Sequence, residues 1–128
     1  MAETRPRIRN DLDFDLSTMT GVHWLAMGLV AITGVVHLYL FVTQGFLPFL
    51  LAGLGFFGIM AAILVTRRGG ILRSVVYVLA IPFTVGQIAA WMALGMPDFY
   101  LGVADKAVQV ALIAIMAYLI VVERRMRR

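Results

Sequence analysis

GVHWLAMGLVAITGVVHLYLFVT, residues 21–43, is an unbroken apolar run long enough to cross the roughly 30 Å of a bilayer's hydrocarbon as a helix. Both histidines of the chain, His23 and His37, lie inside it. Ionisable residues are rare at that depth and mark either a ligand site or contacts with neighbouring helices. With a rise of about 1.5 Å and a turn of about 100° per residue, the two imidazoles stand about 21 Å apart along the helix and about 40° apart around it. They therefore look to the same side, one near each membrane face.

Three further runs follow, so that the expected spans are 19–43, 46–66, 71–94 and 101–122. None alternates with the period of a barrel strand. The connections TQGFLP, RRGG and GMPDFY are short, which makes consecutive helices antiparallel neighbours. The expected fold is all-α: an integral membrane four-helix up-down bundle, with a polar arm at 1–18 and a basic tail at 123–128. Ser17, Thr18 or Thr20 is placed to cap the first helix. The first eighteen residues are polar and the following run exceeds the apolar core of a signal peptide, so that run is expected to stay as a span.

Composition agrees. The 128 residues are 62% hydrophobic and 14% charged, against about 45–50% and about 25% in soluble domains. The absence of cysteine excludes disulfides, thiolate metal sites, iron–sulfur clusters and a cysteine nucleophile. The net charge of +4 does not point to nucleic acid, because the arginines flank the apolar runs. Arg5, Arg7, Arg9, Arg67, Arg68, Arg73, Arg124, Arg125, Arg127 and Arg128 all fall in the arm, the second connection or the tail; Lys106 alone falls on the other side. By the positive-inside rule both termini are expected in the cytoplasm.

Gly53, Gly55 and Gly58 form a G-x-G-x-x-G, but a dinucleotide fingerprint needs a preceding strand, so the glycines read as close helix packing. Pro82 interrupts the third helix and frees one carbonyl. Ala104, Ala107, Ala111 and Ala114 make a small-residue stripe that reads as a packing seam.

With the topology set, His37, Gln87, Asp105, Lys106 and Gln109 fall at similar depth in the outer half of the membrane. Thr84, Gln87 and Trp91 share one face of the third helix, and Asp105 and Gln109 one face of the fourth. His37 is expected to hydrogen-bond Gln87 or Asp105. Tyr39, Trp91 and Tyr100 either line the same region or form an aromatic belt. The candidate site is thus His37, Thr84, Gln87, Trp91, Asp105 and Gln109. Polar donors on one wall, an aromatic ring and small-residue grooves suit a menaquinone-like quinone or another isoprenoid lipid. Haem b is the alternative, since two histidines so spaced could each ligate an iron; the chain holds no third histidine for the second axial position. His23, beside arginines, is expected to be neutral. Catalysis is the weakest reading, with His37 and Asp105 the sole acid–base candidates and no nucleophile nearby. A transporter is disfavoured by the lack of a second repeat.

The segments GVHWLAMGLVAITGVVHLYL, LLAGLGFFG, IPFTVGQIAAW and DKAVQVALI together resemble a family of small four-helix membrane proteins of haloarchaea. The resemblance covers 21–125, implies the same four-helix topology and transfers no site residue. It also implies a setting rich in retinal proteins, respiratory complexes and menaquinone, from which a partner and a ligand would come. A homo-oligomer and a purely structural subunit remain open readings.

Overall fold

The structure, a computed structural model, describes Leu12 and residues 16–127. Most of the polar arm, with Arg5, Arg7 and Arg9, and the terminal Arg128 lie outside the described residues. After a 3-10 turn at Leu16–Thr18 come four helices: α1 (Gly21–Gln44), α2 (Leu47–Val65), α3 (Ile71–Ala93) and α4 (Phe99–Met126). Each is long and apolar enough to cross a membrane. Contacts are densest between α1 and α2, then α3 and α4, then α1 and α4, and fewer between α2 and α3. The all-α four-helix bundle is therefore the observed fold.

Local chemistry sets the helix ends. Thr20 caps α1: its hydroxyl accepts from the His23 N–H and its own N–H donates to His23 Nδ1, a reciprocal capping box. α1 stops at Gly45, whose φ of 69° is the left-handed conformation that glycine adopts without steric cost. Pro48 sits in the first turn of α2, where a missing N–H costs nothing.

α4 runs four residues beyond the expected span. Glu123, assigned from sequence to a basic tail, is on the helix and fully buried. Arg73, counted from sequence among the arginines of the connection, lies in the first turn of α3 and is only 2% exposed.

The burial pattern inverts that of a water-soluble bundle. His23, Thr33, His37, Arg73, Asp105, Gln109 and Glu123 are each at most 4% exposed, whereas Val42, Leu51 and Leu79 are 60% or more exposed. Water would reward the opposite arrangement; lipid rewards this one, because a polar side chain in hydrocarbon must find its partners inside the protein. Between the polar levels lies an apolar core of Val30, Phe56, Tyr77, Ala80, Leu112 and Met116.

Gly53 and Gly55 serve the close packing expected of them. A Cβ on Gly53 would press on Leu38 and come 3.2 Å from the Gly34 carbonyl, and one on Gly55 would meet the Phe83 ring. Gly58 differs: a Cβ there meets nothing within 4 Å. The alanine stripe does not pack within the bundle. Ala104, Ala107, Ala111 and Ala114 all face outward, because the inner face of α4 is taken by Gly102, Asp105, Gln109, Leu112, Met116 and Leu119. Gly53→Ala should lower stability by about 1–3 kcal/mol through overpacking. Gly58→Ala should be neutral or raise it by up to about 1 kcal/mol. Denaturation midpoints in mild detergent read both.

Candidate functional site

Two helices, α1 and α4, build a polar level in the half of the bundle away from the termini. Thr33 on α1 donates its hydroxyl to Asp105 Oδ1 on α4 at 2.7 Å. Gln109, one turn along from Asp105, donates Nε2 to Thr33 Oγ1 at 2.9 Å and to Asp105 Oδ2 at 3.2 Å. Lys106 Nζ reaches the same Oδ2 at 2.9 Å. The buried carboxylate thus accepts from three donors, one of them cationic, which is what a charge needs to remain in a low-dielectric interior.

His37, one turn above Thr33 on α1, does not bond Gln87 or Asp105. Its Nδ1–H donates to the Thr33 carbonyl at 2.8 Å, within its own helix. That bond places the proton on Nδ1 and leaves Nε2 with a free lone pair, as an acceptor. The ring is wedged against Phe49 and Phe56, with centroids 6.2 and 5.4 Å away.

Above this level a cleft opens among α1, the start of α2, the end of α3 and the start of α4. The empty space among its walls, mouth included, is about 600 Å³. Four of the six sequence-predicted residues, His37, Gln87, Trp91 and Asp105, line it, together with Lys106 and Phe49. The other two do not. Thr84 turns its hydroxyl to the Ala80 carbonyl at 2.7 Å, as a threonine on a helix readily does. Gln109 lies one turn deeper and acts on the cleft through Asp105.

Trp91 forms the wall rather than a hydrogen-bonding group. Its indole N–H donates to the Pro97 carbonyl at 2.9 Å, Lys106 Nζ lies 5.8 Å from the ring centroid, and the ring covers Gly102, where any Cβ would collide with it. Tyr39 and Tyr100 are exposed at 58% and 89% and lie outside the cleft, as an aromatic belt requires. The lip is the connection between α3 and α4, where Gly95, Met96 and Asp98 all have positive φ. Asp98 is held across the mouth by Gln44 Nε2 at 2.6 Å.

Thr33 was missed in the sequence. A lone threonine in an apolar helix carries little signal, but it stands at i−4 from His37, on the same face. No protein-family model, curated protein or solved structure matches the chain.

Replacing Thr33 by Val takes a donor from Asp105 and an acceptor from Gln109 while keeping the side-chain volume. The expected loss is about 1–2 kcal/mol, typical of interhelical hydrogen bonds in membranes. In a double-mutant cycle with Gln109→Leu, the two changes should cost less together than the sum of each alone, read from unfolding midpoints.

Proposed function

We propose that the chain is a non-enzymatic accessory membrane protein that holds the headgroup of a menaquinone-like quinone, or of another isoprenoid lipid, in this cleft. Its position is a multi-pass protein of the cell membrane with both termini in the cytoplasm, beside a larger integral membrane protein such as a retinal protein or a respiratory complex. The carrying observation is the pairing of hydrogen-bond roles around an otherwise apolar cleft. Gln87 and Lys106 offer N–H donors to a carbonyl oxygen, and His37 Nε2 offers an acceptor to a hydroxyl. A quinone and its quinol need both roles. A cleft of this size, largely apolar and walled by Trp91, fits a seated ring with its tail left in lipid.

Other features support the same reading. Asp105 has both oxygens engaged and offers no free base. The haem alternative has less to stand on: His23 is 1% exposed at the far end of α1, and His37 is packed among phenylalanine rings with no second histidine facing it. Lateral association is supported by the outward stripe Ala104, Ala107, Ala111 and Ala114, since small residues let helices approach closely in lipid.

Purification in mild detergent, organic extraction and mass spectrometry test the ligand. A quinone or isoprenoid lipid should co-purify above a helix-matched control, and its absence would overturn the reading. Gln87→Leu should lower the ligand-to-protein ratio roughly two- to tenfold, the worth of one hydrogen bond, while Thr84→Ala leaves it unchanged. Association is read separately: the double substitution Ala107→Leu, Ala111→Leu should shift the native complex toward the free chain on native electrophoresis.

A further inference from the structure

A second polar centre lies at the opposite end of the bundle, outside the cleft and independent of its ligand. Arg73 is anchored at the C-terminus of α2, donating Nε to Thr66 Oγ1 at 2.9 Å and Nη2 to the Thr66 carbonyl at 2.5 Å. Its Nη1 faces the Tyr77 hydroxyl at 3.4 Å. Glu123 Oε2 accepts the Gly69 N–H, tying α4 to the connection between α2 and α3. Nearby, Arg127 Nη1 donates to Ser74 Oγ at 2.6 Å, and Arg68 Nη1 donates to the Thr18 carbonyl at 3.2 Å.

Among the described residues, three buried atoms in this centre have no hydrogen-bond partner: Arg68 Nε, and the neighbouring pair His23 Nε2 and Glu123 Oε1. The pair lies 3.9 Å apart, and Arg73 Nη1 lies 4.0 Å from the same Oε1. These separations are too long for direct hydrogen bonds and short enough for one atom, set to the side of the line between them, to reach each at about 2.8 Å. His23 is 1% exposed and Glu123 0%, so bulk solvent does not supply that atom.

The proton positions decide what fits. The Thr20 backbone N–H can only donate, and it donates to His23 Nδ1 at 3.2 Å; the Thr20 hydroxyl, 2.8 Å from the same nitrogen, is free to donate to it as well. Nδ1 is therefore the acceptor and Nε2 carries the hydrogen. The gap is bounded by two donors, His23 Nε2–H and Arg73 Nη1–H, and one acceptor, Glu123 Oε1. A metal ion is disfavoured by both donor hydrogens and by the guanidinium; an anion is disfavoured by the carboxylate. A neutral molecule with two lone pairs and a hydrogen to give satisfies all three.

We propose that this end of the bundle holds one buried water molecule, accepting from His23 and Arg73 and donating to Glu123. Its three bonds match the about three that internal waters typically make. The water joins α1, α3 and α4 into one closed network. It accounts for a histidine that the cleft does not use and for a glutamate at the end of a membrane helix.

The chain has two histidines, so nitrogen NMR of the ¹⁵N-histidine-labelled full-length protein in bilayers reads the site directly. His37→Gln leaves the two ring nitrogens of His23 and so assigns them. The expected result is a His23 ring protonated on Nε2, with a cross-peak from that proton to a slowly exchanging water. Glu123→Gln has one carbonyl oxygen to serve both Gly69 and the water, so the cross-peak should fall severalfold while helix content by circular dichroism stays the same. A ring protonated on Nδ1, or an Nε2–H that contacts Glu123 with no water signal, would overturn the proposal. The unsubstituted protein alone decides if Glu123→Gln does not fold.

Discussion

In hydrocarbon no water is available to satisfy a polar side chain, and the arrangement of this bundle follows from that constraint. Apolar contact alone specifies little here, because lipid competes with every leucine for the same neighbours. What fixes the rotation of α1 against α4 is the set formed by Thr33, Asp105, Gln109 and Lys106. Turning α4 by 100°, one residue, would present the alkyl face of the helix to Thr33 and carry the Asp105 carboxylate toward lipid. The penalty of an unpaired buried charge is several kcal/mol, well above the tenths gained or lost by repacking an alanine against a leucine. The charged network therefore selects the register, and the apolar residues fill the space that it leaves.

The helices were legible in the sequence because span length and hydropathy are one-dimensional quantities. The depth of the site was legible too: helical rise plus an alternating topology brings His37, Gln87, Trp91 and Asp105 to one level, and these four line the cleft. Rotation and partner choice were not. His37 bonds its own helix's Thr33 carbonyl, and Thr84 its own helix's Ala80 carbonyl, because a backbone acceptor four residues back is available wherever the side chain does not find a better one. The alanine stripe has helical periodicity whether it faces a sister helix or the lipid; its outward direction follows from Asp105 and Gln109 claiming the inner face. Glu123 was hidden by its setting, ERRMRR, which resembles a solvated tail until Gly69 and Arg73 are seen to close on it.

The two ends of the bundle are built to opposite ends. At the end bearing the termini, the buried His23, Arg73, Tyr77 and Glu123, the Thr20 capping box and the Arg127–Ser74 bond draw the helices together. At the other end the α3–α4 connection, Trp91 over Gly102 and the Gln44–Asp98 bond hold the rim, and a cleft remains. The sparse contact between α2 and α3 matters here, since the cleft draws its walls from the end of α3 and the start of α2.

A closed end and an open one together give the cleft what a binding site requires. A ligand gains from side chains already fixed in place, because each rotamer it must freeze costs about 0.5–1.5 kcal/mol. His37 is locked by its bond to Thr33 and by two phenylalanine rings, and Lys106 is drawn to Asp105, which Thr33 and Gln109 hold from behind. Trp91 is tied to Pro97. Among the described residues, Gln87 is the polar wall residue without such a tether. The frame is rigid where it sets charge and tautomer, and adjustable at the Gln87 amide.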